Sequence, residues 1–151
     1  MSSFRTSNKT VRPNLTVVTL GVSDFSRSLR FYRDVLGWKT KATEKDPVAF
    51  FDLSGVVFSI YSRNSLAEDA TVNAKGSGFS GVTFSHNARS VKEVDGVFAR
   101  LKKLGAKIVK KPRKVFWGGY SGYFSDPDGH LWEVAHNPHW KLAKNGNVVL
   151  P

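Results

Sequence analysis

Few residues in this chain can do chemistry. It contains no Cys, which excludes disulfides, thiol nucleophiles and thiolate metal sites. Glu133 is the acid whose setting calls for an explanation. It lies in the stretch from Val115 to Val134, which reads as two strands joined by a tight turn. Pro127 after Asp126 presets φ for the first central position of a type I turn, and Gly129 can take the left-handed conformation that closes the turn as a bulge. That loop sets Asp126 opposite His130, Ser125 opposite Leu131 and Tyr123 opposite Glu133. Side chains alternate along a strand, so Ser121, Tyr123, Leu131, Glu133 and Ala135 share one face, and Phe124, Trp132 and Val134 the other. The second face must be core. The first carries an acid beside an aromatic, and Glu133 there could orient a ligand or move a proton. A solvated rim position is the plain alternative for Glu133.

The elements that must position this pair follow from periodicity. Leu15 to Val22 alternates as a half-buried strand. Ser23 or Asp24 caps a helix with an apolar stripe of Phe25, Leu29, Tyr32 and Val35/Leu36, which Gly37 stops. Three short strands are expected at 38–43, 48–52 and 56–62, the last two joined by Leu53-Ser54-Gly55, a turn resembling Pro127-Asp128-Gly129. The pattern then repeats: a strand at 81–86, a helical stripe from Val91 to Leu104 stopped by Gly105, and strands at 106–111, 119–125 and 130–136. The chain is thus two copies of strand–helix–strand–strand–strand. The fold class is α+β: two βαβββ modules whose sheets form an open, barrel-like cleft. Residues 1–13 read as a flexible arm, 14–62 as the first module and 63–79 as a linker. The second module takes 80–137. A C-terminal extension, 138–151, has a turn signal at Asn145-Gly146.

Net charge is +11, from 23 basic and 12 acidic residues. No acid lies between Asp95 and Asp126, while Arg100, Lys102, Lys103, Lys107, Lys110, Lys111, Arg113 and Lys114 all do. The stretch reads as a solvated helix end followed by a lysine-protected edge strand. Nucleic acid is an unfavoured partner, because no aromatics interleave with these cations to form a base-stacking platform. No apolar run is long enough to span a membrane, and Met1-Ser2-Ser3-Phe4-Arg5 has no signal-peptide core, so a cytoplasmic protein is expected.

Val22-Ser23-Asp24 with Ser28, Phe31-Tyr32, Leu36-Gly37, and Asp126-Pro127-Asp128-Gly129 with Glu133 together resemble the vicinal-oxygen-chelate superfamily. That group includes glyoxalase I, bleomycin-resistance proteins and extradiol dioxygenases. The resemblance covers roughly residues 14–137. It implies metal-ligand positions on the first and last strands of each module, which fall here on Val17, Ser59, Gly81 and Glu133. Only Glu133 keeps a ligand of the family's kind. Val and Gly carry no donor atoms, and one hydroxyl is a poor partner for a divalent ion. His86, His130 and His136 fall on the face opposite Glu133, and His139 lies beyond the last strand. The expectation is therefore no metal and no cofactor.

What remains is a cleft wall, which parity assigns to Val17, Thr19, Phe51, Val57, Ser59, Tyr61, Thr83, Ser85, Ser121, Tyr123 and Glu133, with Trp117 at its mouth. Aromatics, small hydroxyls and one acid suit a small organic ligand. The basic charge favours a neutral or anionic ligand and disfavours cationic bleomycin. The expected function is sequestration of a small molecule in a metal-free cleft, by a homodimer. The alternatives are an enzyme of the same superfamily, lactoylglutathione-lyase-like, isomerase-like or dioxygenase-like, with an altered metal site or with acid–base chemistry at Glu133; and weak nucleic-acid binding through 100–114, lost by physiological salt.

Overall fold

The computed structural model describes Pro13, residues 15–80 and residues 82–151. Most of the expected flexible arm, and Gly81, lie outside the described residues. The first copy of the repeat comprises β1 (Val17–Val22), α1 (Phe25–Arg30), β2 (Val48–Asp52) and β3 (Val57–Ser62). A second helix, α2 (Arg63–Asp69), follows. The second copy comprises β4 (Thr83–Asn87), α3 (Val91–Lys103), β5 (Lys107–Lys114), β6 (Tyr120–Ser125) and β7 (Leu131–His136). A short hairpin, β8 (Lys141–Leu142) and β9 (Val148–Val149), completes the chain around the Asn145-Gly146 turn. The fold is α+β with mixed sheets. β1 runs parallel to β3 and β4 parallel to β7, giving the orders β1-β3-β2 and β4-β7-β6-β5.

Three expectations need correction. Among the described residues, 38–43 form no strand. The Thr40 hydroxyl takes the Ala42 N–H and the Asp46 carboxylate takes the Thr43 N–H and hydroxyl, so local side-chain bonds hold this segment away from a ladder. The linker begins as helix α2, capped by the Ser62 hydroxyl, which accepts from Ser65 N. The turn between β2 and β3 is not the three-residue loop of the later hairpin. Ser54 and Gly55 both have positive φ, 60° and 111°, and Leu53 N–H donates to Val56 O, so two residues make the turn. The pairing becomes Phe51 with Phe58 and Phe50 with Ser59. Phe51, expected on the cleft wall, is fully buried in the core instead, and Phe50 takes its place on the open face. A one-residue change in loop length turns every side chain of a strand over.

The later hairpin folds as expected. Gly129 has φ 85° and donates to Asp126 O at 3.0 Å, and Asp126 N donates to His130 O at 3.0 Å. Tyr123 then faces Glu133 and Ser125 faces Leu131.

One core serves both copies. After α1 the helix widens into a π-turn over Phe31–Val35, with Leu36 N–H bonded to Phe31 O, and Phe31 and Tyr32 are both buried there. The Tyr32 ring meets Phe58 and Trp38 of the first copy at 4.7 and 5.5 Å between centroids, and Trp132 of the second at 6.2 Å. Each such ring contributes about 1.5–3 kcal/mol by burial. The turns that suggested a family also meet here. The Tyr32 hydroxyl donates to Asp126 Oδ2 at 2.8 Å, and Asp128 accepts from Ser23 N, Ser23 Oγ and Ser28 Oγ at 2.9, 2.6 and 3.2 Å. These residues join the copies to each other.

Candidate functional site

With Phe124, Trp132 and Val134 committed to the core, the other face of β6 and β7 is left open. Glu133 stands there between two neighbours. Ser85 of β4 donates to its Oε1 at 2.9 Å, and Tyr123 is its cross-strand partner. Burial first, and the Glu133 carboxylate second, hold the Tyr123 phenol above its ordinary pKa. Ser121, almost wholly buried, lies two residues along the same face, and Thr83 two residues before Ser85.

The sequence reading missed the cations of this face. Strand β5 pairs with β6 through two register shifts, which place Lys110 opposite Tyr123 and Arg113 opposite Ser121. Unbroken alternation from the Ile108–Phe124 pair would have placed Val109 and Lys111 there. The extra residues re-aim the strand. A signal was present: Pro112 has no N–H for a ladder, and Gly122 lies opposite it on β6. Lys110 Nζ lies 5.9 Å from the Tyr123 ring centroid. The result is a cavity of about 550 Å3 lined by Trp117, Ser121, Tyr123 and Glu133 together with Lys110, Arg113 and Lys114.

Trp117 reaches the cavity because its neighbour has no side chain. A Cβ built on Gly119 would sit 1.7 Å from Trp117 Cζ3 and 2.1 Å from Cη2. The indole can swing away, so Gly119→Ala is expected to displace the ring while changing stability by less than about 1 kcal/mol. The check is the set of indole N–H resonances, in which Trp117 should move and the other Trp signals should hold. An unmoved Trp117 signal would contradict the packing.

The expected site residues fall into two groups. Thr83, Ser85, Trp117, Ser121, Tyr123 and Glu133 belong to the second sheet. Val17, Thr19, Ser59 and Tyr61, with Phe50, belong to the open face of the first, where the Thr19 and Ser59 hydroxyls bond each other. Among the described residues, no hydrogen bond joins the groups.

The metal positions can be tested on donor chemistry. Thr19 pairs with Ser59 as Ser85 pairs with Glu133, each five residues before a helix cap, Asp24 or Ser90. Ser59 is therefore the counterpart of Glu133. The same count makes Thr83, not Gly81, the counterpart of Val17. A valine side chain, two hydroxyls and one carboxylate do not fit a divalent ion. No group of three or more His, Asp or Glu side chains converges among the described residues. Two of the four histidines are occupied elsewhere: His130 Nε2 bonds Gly21 O at 3.0 Å and His136 Nδ1 bonds Ala88 O at 3.2 Å.

Known proteins share this architecture. The metallothiol transferase FosB of Bacillus licheniformis is 30% identical over 117 residues, 75% of this chain and 68% of that one. The fosfomycin resistance protein FosX of Listeria monocytogenes is 29% identical over 130 residues, 80% of this chain and 86% of that one. A glyoxalase-related enzyme from Fulvimarina pelagi superposes with a TM-score of 0.81 at 32% identity, over 92% of this chain and 99% of that one. The profile of the Glyoxalase/Bleomycin resistance protein/Dioxygenase superfamily matches residues 14–134. Matched across most of its length by both profile and fold, the chain belongs to the glyoxalase/bleomycin resistance protein/dioxygenase superfamily.

Proposed function

We propose that the protein binds a small anionic or neutral organic molecule on the Glu133 face, without a metal. One observation carries the reading: the cavity that holds Glu133, Tyr123 and Trp117 is ringed by Lys110, Arg113 and Lys114. The cations attract an anionic group and Trp117 offers an apolar contact. Glu133, freed from metal duty, accepts from a ligand N–H or hydroxyl. Relatives named as a fosfomycin resistance protein and as a probable lactoylglutathione lyase make fosfomycin and lactoylglutathione the first compounds to titrate, followed by a library of small anions. For whichever compound binds, Glu133→Gln is expected to remove about 1.5–3 kcal/mol of affinity, roughly a 10- to 150-fold rise in Kd by calorimetry. Chelator should change nothing. A stoichiometric divalent ion held through Glu133, with binding lost on chelation, would sink the proposal.

A second reading, acid–base catalysis at the same place, rests on the Tyr123 donor beside the Glu133 carboxylate. Turnover of a bound compound that Tyr123→Phe and Glu133→Gln each abolish, with binding kept, would select it.

The same proposal includes a homodimer. Val17 and Phe50 are 46% and 56% exposed on the open face of the first sheet, an apolar surface that a second copy can cover. Light scattering at micromolar concentration should give twice the chain mass; monomer alone would refute it.

A further inference from the structure

A second cavity, of about 590 Å3, lies on the other side of the second sheet, at the seam between the two copies. Phe124 and Trp132 form its floor, Val97 and Leu101 of α3 one wall, and Trp38 and Leu53 of the first copy the other. Its size is within the range of small-molecule sites, roughly 300–1,000 Å3. Its chemistry differs from that of the Glu133 cavity. Among the described residues, no Asp, Glu, Lys or Arg side chain lines it, and its polar residues are Ser54, Ser85, His86, Asn87, Asn145 and Asn147. An ionised ligand would lose its hydration here with no countercharge in return. The Trp38 and Trp132 rings stand 5.5 Å apart at 75°, an aromatic corner that offers a flat ligand a face and an edge.

The roof is the tip of the C-terminal hairpin, Asn145-Gly146-Asn147. Strands of two residues cannot hold such a hairpin in place alone. Arg89, just before α3, grips it from outside. Its Nη2 donates to Ala143 O at 2.6 Å and Lys144 O at 3.3 Å, and its Nη1 to Leu142 O at 3.5 Å.

We propose that the seam cavity is a second binding site, for an uncharged, flat, apolar molecule, and that the β8–β9 hairpin is its lid with Arg89 as the latch. The ligand stacks in the Trp38–Trp132 corner while an amide at the rim takes its single polar group. Opening requires that the guanidinium release three carbonyls and that Val148 leave the cavity wall.

The experiment is a titration of the full-length protein with N-phenyl-1-naphthylamine, a neutral aromatic fluorophore. One saturable site per chain is expected, shifting the indole N–H resonances of Trp38 and Trp132 and not that of Trp117. Val97→Trp fills the cavity from the helix side and should weaken the probe at least 10-fold. Arg89→Ala leaves the cavity intact and should raise both association and dissociation rates several-fold by stopped flow. Glu133→Gln should leave the affinity unchanged. Absence of saturable binding would overturn the proposal. So would binding that follows Glu133 and ignores Val97→Trp, or rates that Arg89→Ala does not move.

Discussion

Asp126→Ala is expected to lower the stability of the protein by about 3–5 kcal/mol, read as a fall in the urea midpoint. The Asp126 carboxylate is buried and accepts from the Tyr32 hydroxyl at 2.8 Å, Asp128 N at 2.9 Å and His130 N at 2.8 Å. Truncation would leave these donors without an acceptor and loosen the contact between the two copies. Tyr32 is fully buried, so water does not replace the lost acceptor, and its oxygen also accepts the Trp132 indole N–H at 3.3 Å. Asp126→Asn should cost less, because one amide oxygen can still accept both backbone N–H groups.

The pair of variants also separates charge from shape. Burial raises the Asp126 carboxyl above the usual carboxylate value, against hydrogen bonds that pull the other way. A carboxyl raised in the folded state binds its proton more tightly there than in the unfolded chain. Its contribution is therefore greatest below the ordinary Asp value and falls as pH rises through that value to the elevated one. The stability of the wild type relative to Asp126→Asn should decline across that window. A difference that is flat, or that grows with pH, would show that the carboxyl is not strained by burial.

Gly122→Ala is the second large effect, with an expected loss of about 3 kcal/mol. A Cβ there would lie 2.7 Å from Lys110 O, 2.8 Å from Phe98 Cζ and 2.9 Å from Pro112 N. Two of these atoms are backbone and cannot rotate away. Relief requires β5 to move off β6, which also carries Lys110 and Arg113 away from Tyr123 and Ser121. Denaturant unfolding gives the first effect. The second is a weakened response to anionic ligands in whatever fraction stays folded. An alanine variant as stable as the parent would mean that the strands do not approach this closely.

Much of the architecture was legible in the residues. Pro127 and Gly129 fixed the later hairpin, so the Tyr123–Glu133 pair and the apolar face of Trp132 could be read directly. The helical stripes stopped by Gly37 and Gly105, each after an alternating strand, marked the repeat. Other features were hidden for physical reasons. Ser54 adopts a left-handed conformation unusual for its type, which made a two-residue turn resemble a three-residue one and exchanged Phe50 for Phe51. The cations of the site were masked by bulges, since alternation cannot be counted through an irregular strand. The strand expected at 38–43 yielded to side-chain bonds that a hydropathy pattern does not register. The family motif was read correctly as identity; its Asp126 and Asp128 hold the copies together, a role that only the fold reveals.

The bulges of β5 also bear on solubility. This strand is the outer one of its sheet, and its eight residues run alongside the six of β6. The surplus length kinks its free side, and Pro112 removes a donor from the strand. A further strand laid along it would find neither a flat template nor an unbroken row of hydrogen-bonding groups, and Lys111 and Lys114 would meet its approach with charge. The irregularity that brings two cations to the Glu133 face thereby also closes this border of the sheet to polymerisation. A deletion that smoothed β5 would reopen that route to aggregation even if every residue lining the cavity were kept.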